Sequence, residues 1–391
     1  MPEQDEALAR RLQVLREVAS IPTAPLHETR VSSYVTRFLV RLGLRPQRDR
    51  WGNLIVIYSR GSTSQTPLAL VAHMDHPAFE LVSADGGAAT ALLLGGVAAA
   101  CFRKPTPVRV FPSAGSAEVR GEIVGYEEPE PRRVLLRLAL AGPAAPGDFG
   151  VFDLPDFRQE GDVVHLRAAD DLAGCAIILL TLEELARRQV EASVHGVFTR
   201  AEEVGLVGAT LLAEDGALPR DAVVVSLETS KELPGAVMGQ GPVIRVGDRT
   251  RSFDPDAEAV LLAARSRLQE RDAASAVQRQ LMSGGTCEAT AFGLKGYRTT
   301  GVALPLGNYH NVGPDDTIAA EYVSARDCST AVDLLVVAAE VVGRPTEHLW
   351  SRFAEATTRY RDRLAATASE LGPAQPAYPV RPADPSPPSL F

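Results

Sequence analysis

Five places in this chain put an acid or an imidazole just beyond an apolar run. The first is Leu68-Ala69-Leu70-Val71-Ala72, which ends in His73-Met74-Asp75. A metal-binding histidine needs its second nitrogen held by an acceptor, so His73 reads as a ligand and Asp75 as the group that orients it. The bland rival is a plain polar strand terminus. The second place is Asp170-Asp171, ahead of the apolar stretch from Leu172. One Asp suffices to cap a helix. The other is then free to place one oxygen on each of two metals. The third is Glu202-Glu203, followed by Gly205 and Gly208, after the run Val194 to Thr199. One glutamate can bind a metal while its neighbour acts as general base. The rival is a solvated acidic helix start. The fourth is Glu228, closing the apolar run from Val223. A charge there needs a partner, because burying it alone is costly. The fifth is His310, in a loop after Leu304-Pro305-Leu306-Gly307.

Together these residues supply two histidines, three ligand carboxylates and a spare glutamate. Two metals can share Asp170, each with one histidine and one further carboxylate. Mixed nitrogen and oxygen donors suit Zn²⁺ first, with Co²⁺ or Mn²⁺ as alternatives.

The elements that must hold these side chains follow from periodicity. Helical periods run over Leu8, Leu12, Leu15 and Ala19, and over Val31, Val35, Phe38 and Leu42, where Gly43 is a natural stop. Strands are expected at 54–58, 68–72, 194–199, 222–227 and 298–304. Helices are expected at 172–188, from 207, at 256–271 and within 319–342. Alternating strands and helices predict an α/β fold: a mixed, mostly parallel sheet flanked by helices. In open sheets of this kind ligands bind beyond the carboxyl ends of the strands, which is where the five places lie. Between about Pro77 and Leu166 the texture changes to short β-like runs separated by Gly and Pro. That stretch predicts a small inserted β-barrel. The expected organisation is therefore a discontinuous catalytic domain (1–76 and 167–350), the insertion (77–166), a helical extension (351–371) and a Pro-rich disordered tail (372–391).

Of the 391 residues, 45 % are hydrophobic and 23 % charged, so a sizeable core is available. The formal net charge of −9 offers no attraction for nucleic acid or an anionic membrane. The amphipathic N-terminus lacks the apolar core of a secretory signal. No apolar window is long enough to span a bilayer. The chain is expected to be soluble and cytoplasmic. Cys101, Cys175, Cys287 and Cys328 form no C-x-x-C pair, so free thiols are expected.

The ordered set His73-x-Asp75, Asp170-Asp171-x-x-Gly174, Glu202-Glu203-Val204-Gly205-x-x-Gly208-Ala209, Glu228 and His310 resembles the co-catalytic metallo-aminopeptidases of families M28, M20 and M42. The inserted module, Ala145-Pro146-Gly147-Asp148, Gly239-Gln240-Gly241-Pro242 and Gly284-Gly285-Thr286 favour M42. The resemblance covers about residues 5–345. It implies a zinc-peptidase type fold and an aminopeptidase activity on peptides with a free N-terminus. It implies a first metal held by His73, Asp170 and Glu228, and a second held by Asp170, Glu203 and His310. Glu202 would be the general base and Asp75 would steady His73. It also implies a cis Asp170–Asp171 peptide and a homo-oligomer. Another amide hydrolase on the same scaffold, a carboxypeptidase or deacylase, is a rival, as is an inactive relative kept for binding or assembly. The chain departs from the M42 pattern at Glu228 (usually Asp), at His76-Pro77-Ala78, at Cys287 (usually Asp) and at Gly307-Asn308-Tyr309. His76 and Cys287 are read as non-ligands. His27, His165, His195 and His348 fit no set.

Overall fold

The computed structural model describes residues 2–61, 66–112, 117–343 and 346–368. Helices α1 (Pro2–Ala19) and α2 (Thr29–Arg41) come first, then strands β1 (Gln47–Arg48), β2 (Leu54–Arg60) and β3 (Leu68–His73). Next are β4 (Ala78–Asp85), β5 (Ala88–Leu94), β6 (Thr106–Phe111), β7 (Val119–Glu130), β8 (Arg133–Leu140) and β9 (Phe149–Phe152). β10 (Arg158–Glu160) and β11 (Val163–Leu166) lead to helix α3 (Leu172–Arg188). The remainder is β12 (Ala192–Thr199), α4 (Val207–Glu214), β13 (Val223–Lys231), β14 (Val243–Arg245), α5 (Pro255–Arg271), β15 (Gln278–Gln280), α6 (Glu288–Leu294), β16 (Arg298–Leu306), β17 (Val312–Gly313), β18 (Thr317–Ile318), β19 (Glu321–Ser324) and α7 (Ala325–Val341).

The chain divides into two units, Met1–Pro345 and Thr346–Phe391. The described part of the second is one helix, α8 (Thr346–Ala368), which exposes Phe353, Tyr360 and Leu364. The Pro-rich tail expected at 372–391 lies outside the described residues.

The core of the first unit is an eight-stranded mixed sheet in the order β1-β2-β12-β3-β13-β16-β14-β15. β12, β3, β13 and β16 are neighbours and all parallel. Strands buried on both faces carry near-continuous apolar runs because each face meets a different layer. In β3, Leu68, Leu70 and Ala72 join a core shared with α1, α3 and α7, while Ala69 and Val71 join a smaller one with Leu212 of α4 and Phe292 of α6. β13 divides likewise, with Val223, Val225 and Leu227 on the first side and Val224 on the second. α3 is apolar over most of its length because it lies against this sheet, with Leu172 to Leu182 buried. Gln189 closes it in a left-handed conformation (φ 53°).

The chain leaves the sheet at His73 and builds a closed barrel, β4-β5-β8-β7-β6-β9. Alternate residues fill it, among them Phe79, Leu81, Val108, Val110, Ile123, Leu136, Leu138 and Phe152. β10 and β11 then pair with β19 in a separate three-stranded sheet. The four cysteines are free and buried. Among the described residues no helix is long and apolar enough to cross a membrane.

Candidate metal centre

Because β12, β3, β13 and β16 are parallel neighbours, their carboxyl ends open on one edge. Thr199 is level with His73, and Ser226 with Val71, so Glu228 emerges beside His73. His73 is the last residue of β3, and Glu202-Glu203 and His310 follow β12 and β16, whereas Glu228 lies inside β13, which runs on to Lys231 instead of ending at 227 as expected. Asp170 arrives from the loop between β11 and α3. All five are brought together.

The two oxygens of Asp170 face different histidines. Oδ1 lies 3.4 Å from His73 Nε2, and Oδ2 lies 3.6 Å from His310 Nε2. Glu228 Oε1 is 3.6 Å from His73 Nε2, and Glu203 Oε2 is 3.4 Å from His310 Nε2. Three groups have their donor atoms within 4.8 Å of one another: the triads His73/Asp170/Glu228 and Asp170/Glu203/His310, which share Asp170, and a third, His73/Glu202/Glu203, which draws in Glu202. Separations of 3.4–3.6 Å are long for hydrogen bonds. They match the edge of a tetrahedron around an ion with bonds of about 2.1 Å. Glu202 lies to one side, 4.0 Å from His73 Nε2.

Electrostatics point the same way. Among the described residues, the ion-pair partners of Asp170, Glu202, Glu203 and Glu228 are the two histidines alone. Asp170 Oδ1 and Glu203 Oε1 are buried without a hydrogen-bond partner. Burial, with Glu228 next, pushes the Asp170 carboxyl up to about 7. Burial also drives Glu202 and Glu203 well above the carboxylate range. Burial pulls His73 down, but Glu202 and the other surrounding carboxylates outweigh it and hold the imidazole well above its ordinary value. His310 is pushed down to about 4 by burial. Acids crowded without cations are costly. One or two divalent ions would remove that cost, so this donor set fits metal.

The loops that carry the ligands are tied down by other buried acids. Asp75 accepts from the backbone N–H groups of Glu202 and Glu203, both at 3.0 Å. Its Oδ1 is 3.6 Å from His73 Nδ1, whereas its backbone carbonyl is nearer that nitrogen, at 3.2 Å. Asp75 thus steadies the glutamate loop as well as touching His73. Glu28 accepts from Ala201 N–H and pairs with Arg200. Gly208 donates to Arg200 carbonyl, and a Cβ there would lie 2.3 Å from that oxygen, so this turn admits only glycine. Asp171 caps α3 by accepting from Gly174 N–H, which separates it in role from Asp170. The peptide between them is cis.

His76 and Cys287 belong to neither triad. His76 Nδ1 contacts the carbonyl of Asp170, and its Nε2 lies 2.9 Å from Asn311 Oδ1. Cys287 is buried, and its burial pushes the thiol up to about 12. His27 pairs with Glu80 and stacks on Phe149; His165 stands by Tyr322; His195 is buried in β12.

Several residues here were not anticipated. Among the described residues, the hydrogen bonds of the buried acids Glu321 and Glu28 go to backbone N–H groups or to arginine. Arg245 is 1 % exposed, and its Nε and Nη1 have no partner among the described residues. Its stem lies flat because Gly301 beneath it has no side chain; a Cβ there would be 3.0 Å from Arg245 Cδ. Arg245, Lys231, Arg249 and Arg132 line the same cleft of about 480 Å³ as the carboxylates. Gly284, Gly285 and Thr286 line it too. A lone arginine in a short apolar strand was the one signal available for Arg245.

Residues 143–334 match the family model described as M42 glutamyl aminopeptidase. The chain is 29 % identical over 197 residues to a protein of Acetivibrio thermocellus provisionally described as an aminopeptidase. That match takes in 49 % of this chain and little more than half, 56 %, of the relative. Among solved structures, an aminopeptidase of the archaeon Desulfurococcus kamchatkensis superposes with a TM-score of 0.70 at 22 % identity, covering 85 % of this chain and 95 % of that one. The TET1 peptidase of Pyrococcus horikoshii, which can assemble into a tetrahedron or a large octahedral shell, gives 0.69 at 22 %, covering 84 % and 99 %. An M18-family aminopeptidase of Thermotoga maritima gives 0.60 at 15 %, covering 87 % and 97 %. At these identities the superpositions speak to the fold.

Proposed function

Taking this chain as a member of the M42 peptidase family, we propose that it is a metal-dependent aminopeptidase with a dinuclear site. The observation that carries this reading is Asp170, whose two oxygens face two different histidine–carboxylate pairs. One ion would be held by His73, Asp170 and Glu228, the other by Asp170, Glu203 and His310. Zn²⁺ is the first choice for these donors, with Co²⁺ or Mn²⁺ next. Bound there, the pair would acidify a water and polarise the scissile carbonyl.

Glu202 binds no ion in this scheme. Its carboxylate takes the proton of the attacking water and returns it to the leaving amine. Asp75, through the Glu202 and Glu203 amides, keeps base and ligand in register. The cations Lys231, Arg245, Arg249 and Arg132 that line the cleft suit an N-terminal residue with an acidic side chain, in keeping with the family's description. We place the enzyme in the cytoplasm as a homo-oligomer, in line with the assembly of the Pyrococcus horikoshii peptidase.

The test is metal content by mass spectrometry, with hydrolysis of N-terminally free and blocked peptides before and after chelation. About two ions per chain, with cleavage of free peptides lost on chelation and restored by Zn²⁺, Co²⁺ or Mn²⁺, is the expected result. Cleavage of blocked peptides alone would point to a deacylase. A metal-loaded chain that cleaves nothing would end the enzymatic reading.

A further inference from the structure

One buried carboxylate gives no donor atom to either triad, yet holds the backbone of two members of the second. Glu321 is fully buried at the start of β19. Its Oε2 accepts from the backbone N–H groups of Ala169 (2.8 Å) and Asp170 (3.0 Å). Its Oε1 accepts from the N–H of His310 at 2.8 Å. Asp170 and His310 sit on separate loops, tied by Asn311 Nδ2 donating to the Arg167 carbonyl at 2.8 Å, and this side chain is a further strut joining the two.

The loop on the His310 side needs such a strut. Asn308, His310 and Asn311 all have left-handed backbones, with φ of 53°, 57° and 59°. Non-glycine residues adopt that region at a cost, and persist in it only where the surroundings over-determine it. β19 supplies the frame. Glu321 pairs with Leu166 on one side, and Tyr322 bonds to Gly307 on the other. The Tyr322 ring lies so close to Gly307 that a Cβ there would be 1.9 Å away, which fixes the register of Glu321 against the loop.

We propose that Glu321 is a positioning residue for the ion at Asp170, Glu203 and His310, and has little hold on the ion at His73 and Glu228. The proposal rests on the dinuclear reading above. The variant Glu321→Gln has one oxygen and one NH₂ in place of two oxygens. The oxygen can stay with Ala169 and Asp170, but the NH₂ then opposes the His310 N–H, donor against donor. The His310 loop therefore loosens first.

The experiment is Zn²⁺ titration of the full-length chain against a competing chelator, in wild type, Glu321→Gln and Glu321→Asp, with hydrogen exchange on the metal-free proteins. Wild type should take up two ions. Both variants should weaken the second about 10- to 100-fold, the range for lost supports around metal ligands, and the first less than threefold. In the metal-free variants, exchange should quicken in the segment around residues 305–312 and stay unchanged around 68–76. The aspartate separates positioning from charge. It keeps the negative charge but cannot reach both loops. Equal weakening of both ions in Glu321→Gln, with Glu321→Asp unaffected, would mean that charge alone matters and would overturn the proposal. Unchanged binding and exchange would overturn it as well. A wild type that takes up fewer than two ions would instead overturn the dinuclear reading, while the exchange result would still judge the strut.

Discussion

The two halves of the centre are built by different means. The His73 half grows straight out of the sheet: His73 ends β3, Glu228 lies inside the neighbouring parallel strand β13, and the strand register, Ser226 level with Val71, carries the two side by side. The His310 half hangs on a loop of left-handed residues, held by Glu321, by a contact of its own Nδ1 with Gly96 carbonyl at 3.0 Å and by stacking on Tyr309. Sheet hydrogen bonds are collective, whereas a loop depends on each tie separately. The first half should therefore tolerate change around it and the second should not.

The largest effect that could break this contrast comes from removing the histidines. His73→Ala and His310→Ala should each lower turnover about 10³-fold or more if both ions are needed. They should differ in what they retain. His310→Ala should keep one tightly held ion, and His73→Ala one loosely held ion, as read by chelator competition. Equal residual affinities would erase the distinction. Glu202→Gln should come next, costing about 10²–10⁴ in kcat while leaving metal content unchanged. Near-normal turnover would remove Glu202 from the mechanism.

A smaller effect concerns the bridge between the halves. His76 contacts the Asp170 carbonyl on one side and Asn311 on the other. Its burial pushes the ring down to about 3, from an ordinary value of 6.5. Below pH 6.5 the unfolded chain binds a proton there that the folded chain refuses. Stability is thus lost as pH falls from 6.5 towards 3, at up to about 1.4 kcal/mol per pH unit. His76→Gln should remove about one proton from the slope of unfolding free energy against pH between 4 and 6. Urea melts of both proteins in metal-free buffer would show it, and an unaltered slope would put the proton elsewhere. The smallest effect belongs to Arg132, which reaches the cleft from the exposed turn between β7 and β8. Arg132→Ala should raise KM for peptides beginning with Asp or Glu by about two- to fivefold, leave kcat alone, and lose its effect in 0.5 M salt, because exposed charges are screened. Equal KM changes for Leu and Glu peptides would argue against a cationic lining that selects.

The contrast also explains what could be read without coordinates. An apolar run ending in His73, or in Glu228, is a local pattern, and its place in space follows once neighbouring strands are parallel. The Glu202–Glu203 turn was legible for the same reason, with Gly208 marking the tight approach. The mixed sheet and the barrel followed from alternation and from short runs broken by Gly and Pro. Glu321 was not legible. Its partners are backbone N–H groups on segments far apart in the chain, and nothing in Ala319-Ala320-Glu321-Tyr322 shows them. Arg245 was hidden likewise, since the significance of an arginine beside Gly301 appears only when β14 pairs with β16. The double duty of Asp75 was also out of reach. Its sequence neighbour is His73, but its short hydrogen bonds go to the loop after β12.

The bridge through His76 has a meaning for biosynthesis. His76 and Asn311 are 235 residues apart. At the roughly 5–20 residues made per second during synthesis, some tens of seconds pass between them. Through that interval the emerging chain already carries His73 and, later, Asp170 and the two glutamates, but no His310 to complete the centre. On the dinuclear reading proposed above, every residue of the His73 seat is therefore synthesised before His310 completes the other.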